Sequence, residues 1–198
     1  MKLLFGIIGG ILAVAGNLPY LNDIIKKRIT PHPYTWFVWS LVSGVTFIGQ
    51  VVKGAGAATI AFASSEIFTI LIFIFSLRYG FKNIPKRDTY FLVAALIGIV
   101  PWIILKDPTW SVMIMVTIDI IAFIPTILKT WQAPKSESPI LYGSNVLRHG
   151  CALLALSQYN IATMLHSLAM IVTNTVMTFI TILRKKSVTR VDSFTPSK

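Results

Sequence analysis

The sequence predicts an all-α membrane protein with seven transmembrane helices, and three observations support this fold class. The chain is 55% hydrophobic and only 13% charged, whereas a soluble domain carries about 25% charged residues. Seven apolar segments follow one another at roughly 3–25, 33–52, 55–79, 89–105, 109–128, 139–157 and 160–183. Most of them are long enough to cross a bilayer as a helix, and basic residues concentrate in the stretches between alternate segments.

The distribution of basic residues predicts the orientation of the chain. Of the 18 Lys and Arg residues, fourteen follow the first, third and fifth segments or lie in the C-terminal tail. Lys2, Lys53 and Lys106 lie on the other side, and Arg148 lies within a segment. Because short loops rich in Lys and Arg stay in the cytoplasm, we expect a protein of the plasma membrane with its N-terminus outside and its C-terminus inside.

Charge and motif content exclude several functions. The net charge of +11 is accounted for by membrane topology, so no nucleic-acid partner is expected. The single Cys151 offers neither a disulfide nor a metal site, and no motif for a nucleophile, a metal or a phosphate is present, so we expect no enzyme, cofactor or metal. The first segment begins like a signal peptide, but it continues to Ile25, which favours an uncleaved first helix.

A pattern around two prolines occurs twice. In each copy an apolar helix contains a proline, a short basic turn follows, and a second proline comes 14 residues after the first, before an aromatic return. One offset of 106 residues matches Pro19 with Pro125, Pro33 with Pro139, Thr30 with Ser136, and Trp36 with Tyr142. Two proline pairs at one offset, in the same helical context, indicate an internal duplication.

The duplication divides the chain into two three-helix repeats. We assign residues 1–80 to the first repeat, 81–107 to a linker helix, 108–184 to the second repeat and 185–198 to a disordered cytoplasmic tail. Three helices per repeat would invert the second copy, and the linker helix restores its orientation. The prediction is therefore a 3+1+3 arrangement of parallel repeats about an axis normal to the membrane.

This plan, with its outside N-terminus and matched prolines, resembles the SWEET and PQ-loop transporter superfamily, in a bacterial branch. The copies read Leu18-Pro19-Tyr20 and Ile124-Pro125-Thr126, so the Pro-Gln dipeptide itself is absent. The stretch Trp36-Phe37-Val38-Trp39 is similar to the aromatic pair of PnuC-type transporters of vitamin precursors. The resemblance implies that the third helix of each repeat lines a solute pocket, and that an asparagine there contacts the solute.

Two polar residues lie near the centres of the equivalent third and seventh helices. They are Glu66 and Asn174, at an offset of 108 residues. An ionised side chain at the bilayer centre costs roughly 2.5–3.5 kcal/mol, so it normally faces a cavity or a partner. We interpret the two residues as a pair that binds solute, with Glu66 protonatable; the alternative is that Glu66 is protonated or paired in helix packing.

Helix six and helix two carry matched stripes of candidate residues. Tyr142, Asn145 and Arg148 follow the spacing i, i+3 and i+6 on one face, and Trp36 and Trp39 occupy the corresponding stripe. Aromatic walls opposite polar donors suit a small polar solute. We therefore assign these residues, apart from Arg148, to solute binding; the alternative for the tryptophans is the interfacial aromatic belt.

Three ionisable residues are candidates for ion coupling or for a structural ion pair. Arg148 needs a counter-ion, and Glu66 and Asp119 are the mid-membrane carboxylates available to it. Asp119 could equally bind a proton or a sodium ion. His149 lies beside the Arg148 face, and His166 is expected just beneath the outer surface, half-solvated.

These features favour a transporter for a small polar solute, sugar-like or amino-acid-like, working by alternating access. Pro19 and Pro125 inside helices would supply kinks, and Pro33 and Pro139 would start the return helices, so the four are candidate hinges or gates. Proton coupling and homo-oligomerisation are left open. The alternative is a receptor or trafficking protein of the same fold that does not transport. The expected partners are the solute and the lipid bilayer.

Overall fold

The computed structural model describes residues 1–97, 104 and 108–192, and all regular structure in these ranges is helical. The α-helices are α1 (Lys2–Ile25), α2 (Pro33–Val52), α3 (Ala58–Tyr79), α4 (Lys86–Ile97), α5 (Pro108–Gln132), α6 (Pro139–Ala155) and α7 (Ile161–Asp192), with a 3-10 turn at Pro134–Ser136 before α6. Helix α7 extends through residues 185–192, which the sequence placed in a disordered tail. Pro101, in the predicted fourth segment, and residues 193–198 lie outside the described ranges.

Four of these helices are long and apolar enough to cross a membrane: Lys2–Ile25, Ala58–Tyr79, Val112–Gln132 and Ile161–Arg184. They leave large apolar side chains exposed, among them Ile11 on α1, Ile67 on α3 and Val172 on α7. A soluble protein rarely exposes so much contiguous apolar surface, whereas lipid solvates it. The protein is therefore an all-helical membrane protein with at least these four candidate spans in the described part.

Helix packing follows the same pattern in the two halves of the chain. Helix α3 packs against both α1 and α2, and α7 packs against both α5 and α6. The halves meet reciprocally, because α1 packs against α6 and α2 packs against α5. Helix α4 lies against α5 and α2.

The prolines of the sequence repeat occupy equivalent positions in the helices. Pro19 lies inside α1 and Pro125 lies inside α5. Pro33 and Pro139 are the first residues of α2 and α6, where the missing N–H of proline has no helical acceptor to lose. The matched turns also touch, because the backbone N–H of Thr30 donates to the carbonyl of Ser136 over 3.1 Å.

Helix α1 packs closely against its neighbours through glycines. A Cβ atom at Gly6 would lie 2.3 Å from the carbonyl oxygen of Ala57 beside α3, and one at Gly16 would lie 1.8 Å from Ser144 Oγ on α6. Small residues let helix backbones approach in this way within membranes. Helix α1 therefore joins the two halves of the bundle along its length.

We expect Gly6→Ala to destabilise the protein by about 1–3 kcal/mol, because the added methyl group meets a backbone atom and forces the helices apart. The matched control is Gly150→Ala, since a Cβ at Gly150 meets nothing within 4 Å and alanine favours the helix. Thermal unfolding of both variants in detergent measures the difference. A Gly6→Ala variant that is as stable as Gly150→Ala would contradict the close packing of α1.

Candidate functional site

A cavity of about 70 Å³ lies where the two halves of the chain meet. Six helices line this central cavity, through Asn17 of α1, Trp36, Trp39 and Ser43 of α2, Ser65 and Thr69 of α3, Asp119 of α5, Asn145, Arg148 and His149 of α6, and His166, Met170 and Asn174 of α7. Five of the predicted site positions on α2, α6 and α7, together with Asp119, thus come together around one space.

The asparagines of the cavity form a hydrogen-bonded chain with Arg148. Asn145 accepts a bond from Arg148 Nε over 3.2 Å, and its own amide donates to Asn174 Oδ1 over 3.4 Å. The amide of Asn174 donates in turn to the carbonyl of Met170 over 2.8 Å. These bonds orient the amide groups of α6 and α7 toward each other across one side of the cavity.

Arg148 is buried, and no described carboxylate pairs with it. Its Nη2 lies 2.7 Å from His149 Nε2, and His149 Nδ1 lies 3.3 Å from Ser167 Oγ. Its Nη1 is buried and has no partner in the described part of the chain. Neither Glu66 nor Asp119 supplies the counter-ion that the sequence led us to expect, because both carboxylates have other neighbours.

Asp119 pairs with a histidine from the opposite helix. Its Oδ2 lies 3.2 Å from His166 Nδ1, and both side chains are buried. His166 is buried and not half-solvated as the sequence led us to expect, since the packing of α7 on α5 places this ring inside the bundle. The ring also lies 5.5 Å from the ring of His149, so two imidazoles and a carboxylate line the same side of the cavity.

Glu66 contacts the cavity through Ser43. The hydroxyl of Ser43 lies within hydrogen-bond distance of Glu66 Oε2, and it lies 2.5 Å from the carbonyl oxygen of Trp39. A serine hydroxyl carries one proton, and a carbonyl oxygen can only accept. When Ser43 donates to Trp39, the bond between Ser43 and Glu66 must therefore use a proton carried by Glu66.

An aromatic layer extends from the cavity residues Trp36 and Trp39 toward the basic end, which is the end that carries the Lys26-Lys27-Arg28 turn. Successive ring centroids are 4.8–6.0 Å apart along Tyr20, Trp36, Trp39, Phe123 and Tyr142. Only 3% of Trp36 is exposed. Trp36 therefore belongs to the interior of the bundle, and the interfacial aromatic belt does not describe it.

A second polar cluster, the Glu137 network, lies beyond the aromatic layer. Glu137 is fully buried and accepts hydrogen bonds from the hydroxyls of Tyr20 over 2.7 Å and of Tyr142 over 3.1 Å. It also pairs with the buried ammonium group of Lys129, which donates to the carbonyl of Thr30 as well. Tyr142, predicted to bind solute, belongs to this network and is not part of the cavity lining.

His32, to which the sequence assigns no role, fastens the first turn to α4. It is fully buried, and its Nε2 lies 3.2 Å from Asp88 Oδ2. Burial lowers the pKa of His32, against the opposing effect of Asp88. The contact holds the turn between α1 and α2 in a defined position at the basic end.

The cavity is lined mainly by polar and aromatic side chains. Among the residues described, no three His, Cys, Asp or Glu side chains are grouped to hold a metal ion. In the described part of the chain, the buried Nη1 of Arg148 has no partner, and Arg148 lines the cavity; such atoms normally find a partner in water or ligand. Comparison with protein-family models, curated proteins and solved structures yields no match to this chain.

Proposed function

We propose that the protein is a membrane transporter that moves a small polar solute through the central cavity by alternating access. The main support for this proposal is that both halves of the chain supply lining residues of the cavity. Helices α1, α2 and α3 contribute one part of the lining, and α5, α6 and α7 contribute the other. A cavity shared by two halves can open to either side when the halves rock against each other.

We further propose the 3+1+3 arrangement of seven spans, with α4 as part of the linker and the N-terminus outside. The reciprocal packing of α1 on α6 and α2 on α5 supports it. The contact between Thr30 and Ser136 supports it as well, since the sequence offset pairs these two residues. This arrangement is the ground on which we propose a SWEET-like or PQ-loop-like transporter.

In this proposal the basic end is cytoplasmic, and the aromatic layer and the Glu137 network form the closed cytoplasmic gate. The network joins groups from both halves, because Tyr20 belongs to α1 and Glu137 precedes α6. Opening toward the cytoplasm would separate them. The prolines inside α1 and α5 lie next to this region, where a kinked helix can bend without losing a complete ladder of hydrogen bonds.

Glu66 is the residue that we propose for proton coupling. Its carboxyl group meets Ser43, a lining residue, so a change of its proton alters the hydrogen bonds at the cavity wall. If α3 moved against α2, water would replace Ser43 as the partner of Glu66, and Glu66 would release its proton. Solute uptake would then draw on a pH gradient.

Uptake into proteoliposomes tests this function. Purified protein is presented with a pool of ¹⁴C-labelled amino acids, sugars and small carboxylates, and we expect one class to accumulate above empty liposomes and to respond to an imposed pH gradient. Glu66→Gln should abolish the response to the gradient. The matched control is Asp23→Asn at an exposed ion pair with Arg28, which should keep it.

Transport of the solute and the coupling role of Glu66 can be contradicted independently. A Glu66→Gln variant with full uptake and an intact gradient effect would remove the coupling role of Glu66. Wild-type protein that accumulates no member of the pool, with or without a gradient, would contradict transport of these solutes and favour the receptor alternative.

A further inference from the structure

We propose that the solute is a small anion, recognised through a carboxylate group by Arg148. This inference rests on the proposed function, because it names the substrate class of the same cavity. Arg148 is 6% exposed and lines the cavity. A buried guanidinium group without a counter-ion is strongly unfavourable, so a cavity that contains one suits a ligand that supplies the missing charge.

The geometry of Arg148 leaves one edge of its guanidinium group for a ligand. Asn145 Oδ1 accepts from Nε, and His149 Nε2 lies 2.7 Å from Nη2. An imidazole nitrogen that accepts from arginine belongs to a neutral ring, so neither partner carries negative charge. Nη1 is buried without a partner, and a fork of guanidinium N–H groups matches the two oxygens of a carboxylate.

Neither Asp119 nor Glu66 occupies this position. Asp119 lies against His166, with 3.2 Å between Oδ2 and Nδ1. Glu66 contacts Ser43 and is not part of the cavity lining. Within the described chain, Arg148 therefore has no acidic partner, while the acidic residue that does line the cavity has a basic one.

The size and walls of the cavity narrow the class of anion. One water molecule needs roughly 10–15 Å³ of such space, so the cavity of about 70 Å³ accommodates about five to seven water-sized groups. Trp39 and Met170 contribute apolar surface to the lining beside the polar residues. A short monocarboxylate of the size of propionate or lactate satisfies these conditions.

Binding to the purified full-length protein in detergent tests the inference. Propionate and lactate are titrated against their neutral amides, propionamide and lactamide, at constant ionic strength, while tryptophan fluorescence and thermal unfolding are recorded. We expect the carboxylates to quench the fluorescence and to raise the unfolding temperature, whereas the amides do neither. Arg148→Gln should weaken carboxylate binding roughly tenfold or more, by loss of a charge-assisted hydrogen bond.

Two further variants keep the result interpretable. Arg148→Lys retains the charge without the planar fork, so we expect weaker binding with the preference for carboxylate over amide preserved. Arg28→Gln removes an exposed arginine, paired with Asp23, and should bind like the wild type. Equal binding of acids and amides, no binding of either acid, or unchanged affinity in Arg148→Gln would overturn the inference.

The outcomes separate this inference from the transport proposal. Uptake of a neutral or cationic solute, without carboxylate binding, would support transport and contradict the anion site. Carboxylate binding that depends on Arg148, without uptake in proteoliposomes, would support the anion site and contradict the transport function.

Discussion

Glu137→Gln is expected to lower the free energy of unfolding by about 3–5 kcal/mol, because it removes one partner of a buried ion pair and leaves the other uncompensated. Lys129 is 5% exposed and Glu137 is fully buried, so water cannot reach the ammonium group of Lys129 to stabilise it when the carboxylate is lost. A glutamine oxygen can still accept a hydrogen bond from Tyr20 or Tyr142. The main cost is therefore the uncompensated positive charge of Lys129.

Unfolding in mixed micelles with increasing SDS, followed by circular dichroism, measures this change. The double variant Lys129→Met with Glu137→Gln removes both charges and should recover a large part of the stability. Asp23→Asn breaks the exposed pair with Arg28 and should cost no more than about 1 kcal/mol. If Glu137→Gln unfolds at the same SDS fraction as the wild type, the Glu137 network does not hold the two turns together.

Ser43→Cys is expected to become accessible to water from both sides of the membrane in turn. Ser43 lines the central cavity, and the exchange of oxygen for sulfur keeps the size of the side chain nearly the same. Cys151 is the only native cysteine, so a Cys151→Ser background leaves a single reporter. With the Glu137 network closed, a reagent on the basic side reaches Ser43→Cys only during excursions of the protein to the other state.

Much of the helical structure could be predicted from the sequence, because apolar runs and prolines act locally. Pro33 and Pro139 begin α2 and α6, as their fixed backbone angle favours. The continuation of α7 through residues 185–192 was not predicted. Charged residues lower hydropathy, yet Lys and Arg are good helix formers, so a polar tail does not by itself end a helix.

Part of the candidate site could also be predicted from the sequence. Asn145, Arg148 and Asn174 are polar residues in apolar segments, and such residues turn toward the interior of a membrane bundle; all three line the cavity. Their individual partners could not be predicted, because whether Asp119 meets Arg148 or His166 depends on the rotation and depth of the packed helices.

The Glu137 network could not have been found from sequence. Glu137 follows Lys135 in a polar turn, and charged residues in turns are usually solvated. Its burial arises because the turn between α1 and α2 docks on the turn between α5 and α6, through Thr30 and Ser136. That contact joins residues far apart in the chain, and the one available signal was that the offset of the repeat pairs them.

Two-sided labelling of Ser43→Cys tests alternating access of the central cavity. A membrane-impermeant methanethiosulfonate reagent is added to right-side-out and to inverted vesicles, with Lys27→Cys and Lys53→Cys as exposed reporters of the two faces. If the protein alternates access, each control reacts from one face only, Lys27→Cys from the cytoplasmic one, while Ser43→Cys reacts from both. Reaction of Ser43→Cys from a single face would contradict alternating access and indicate a one-sided receptor pocket.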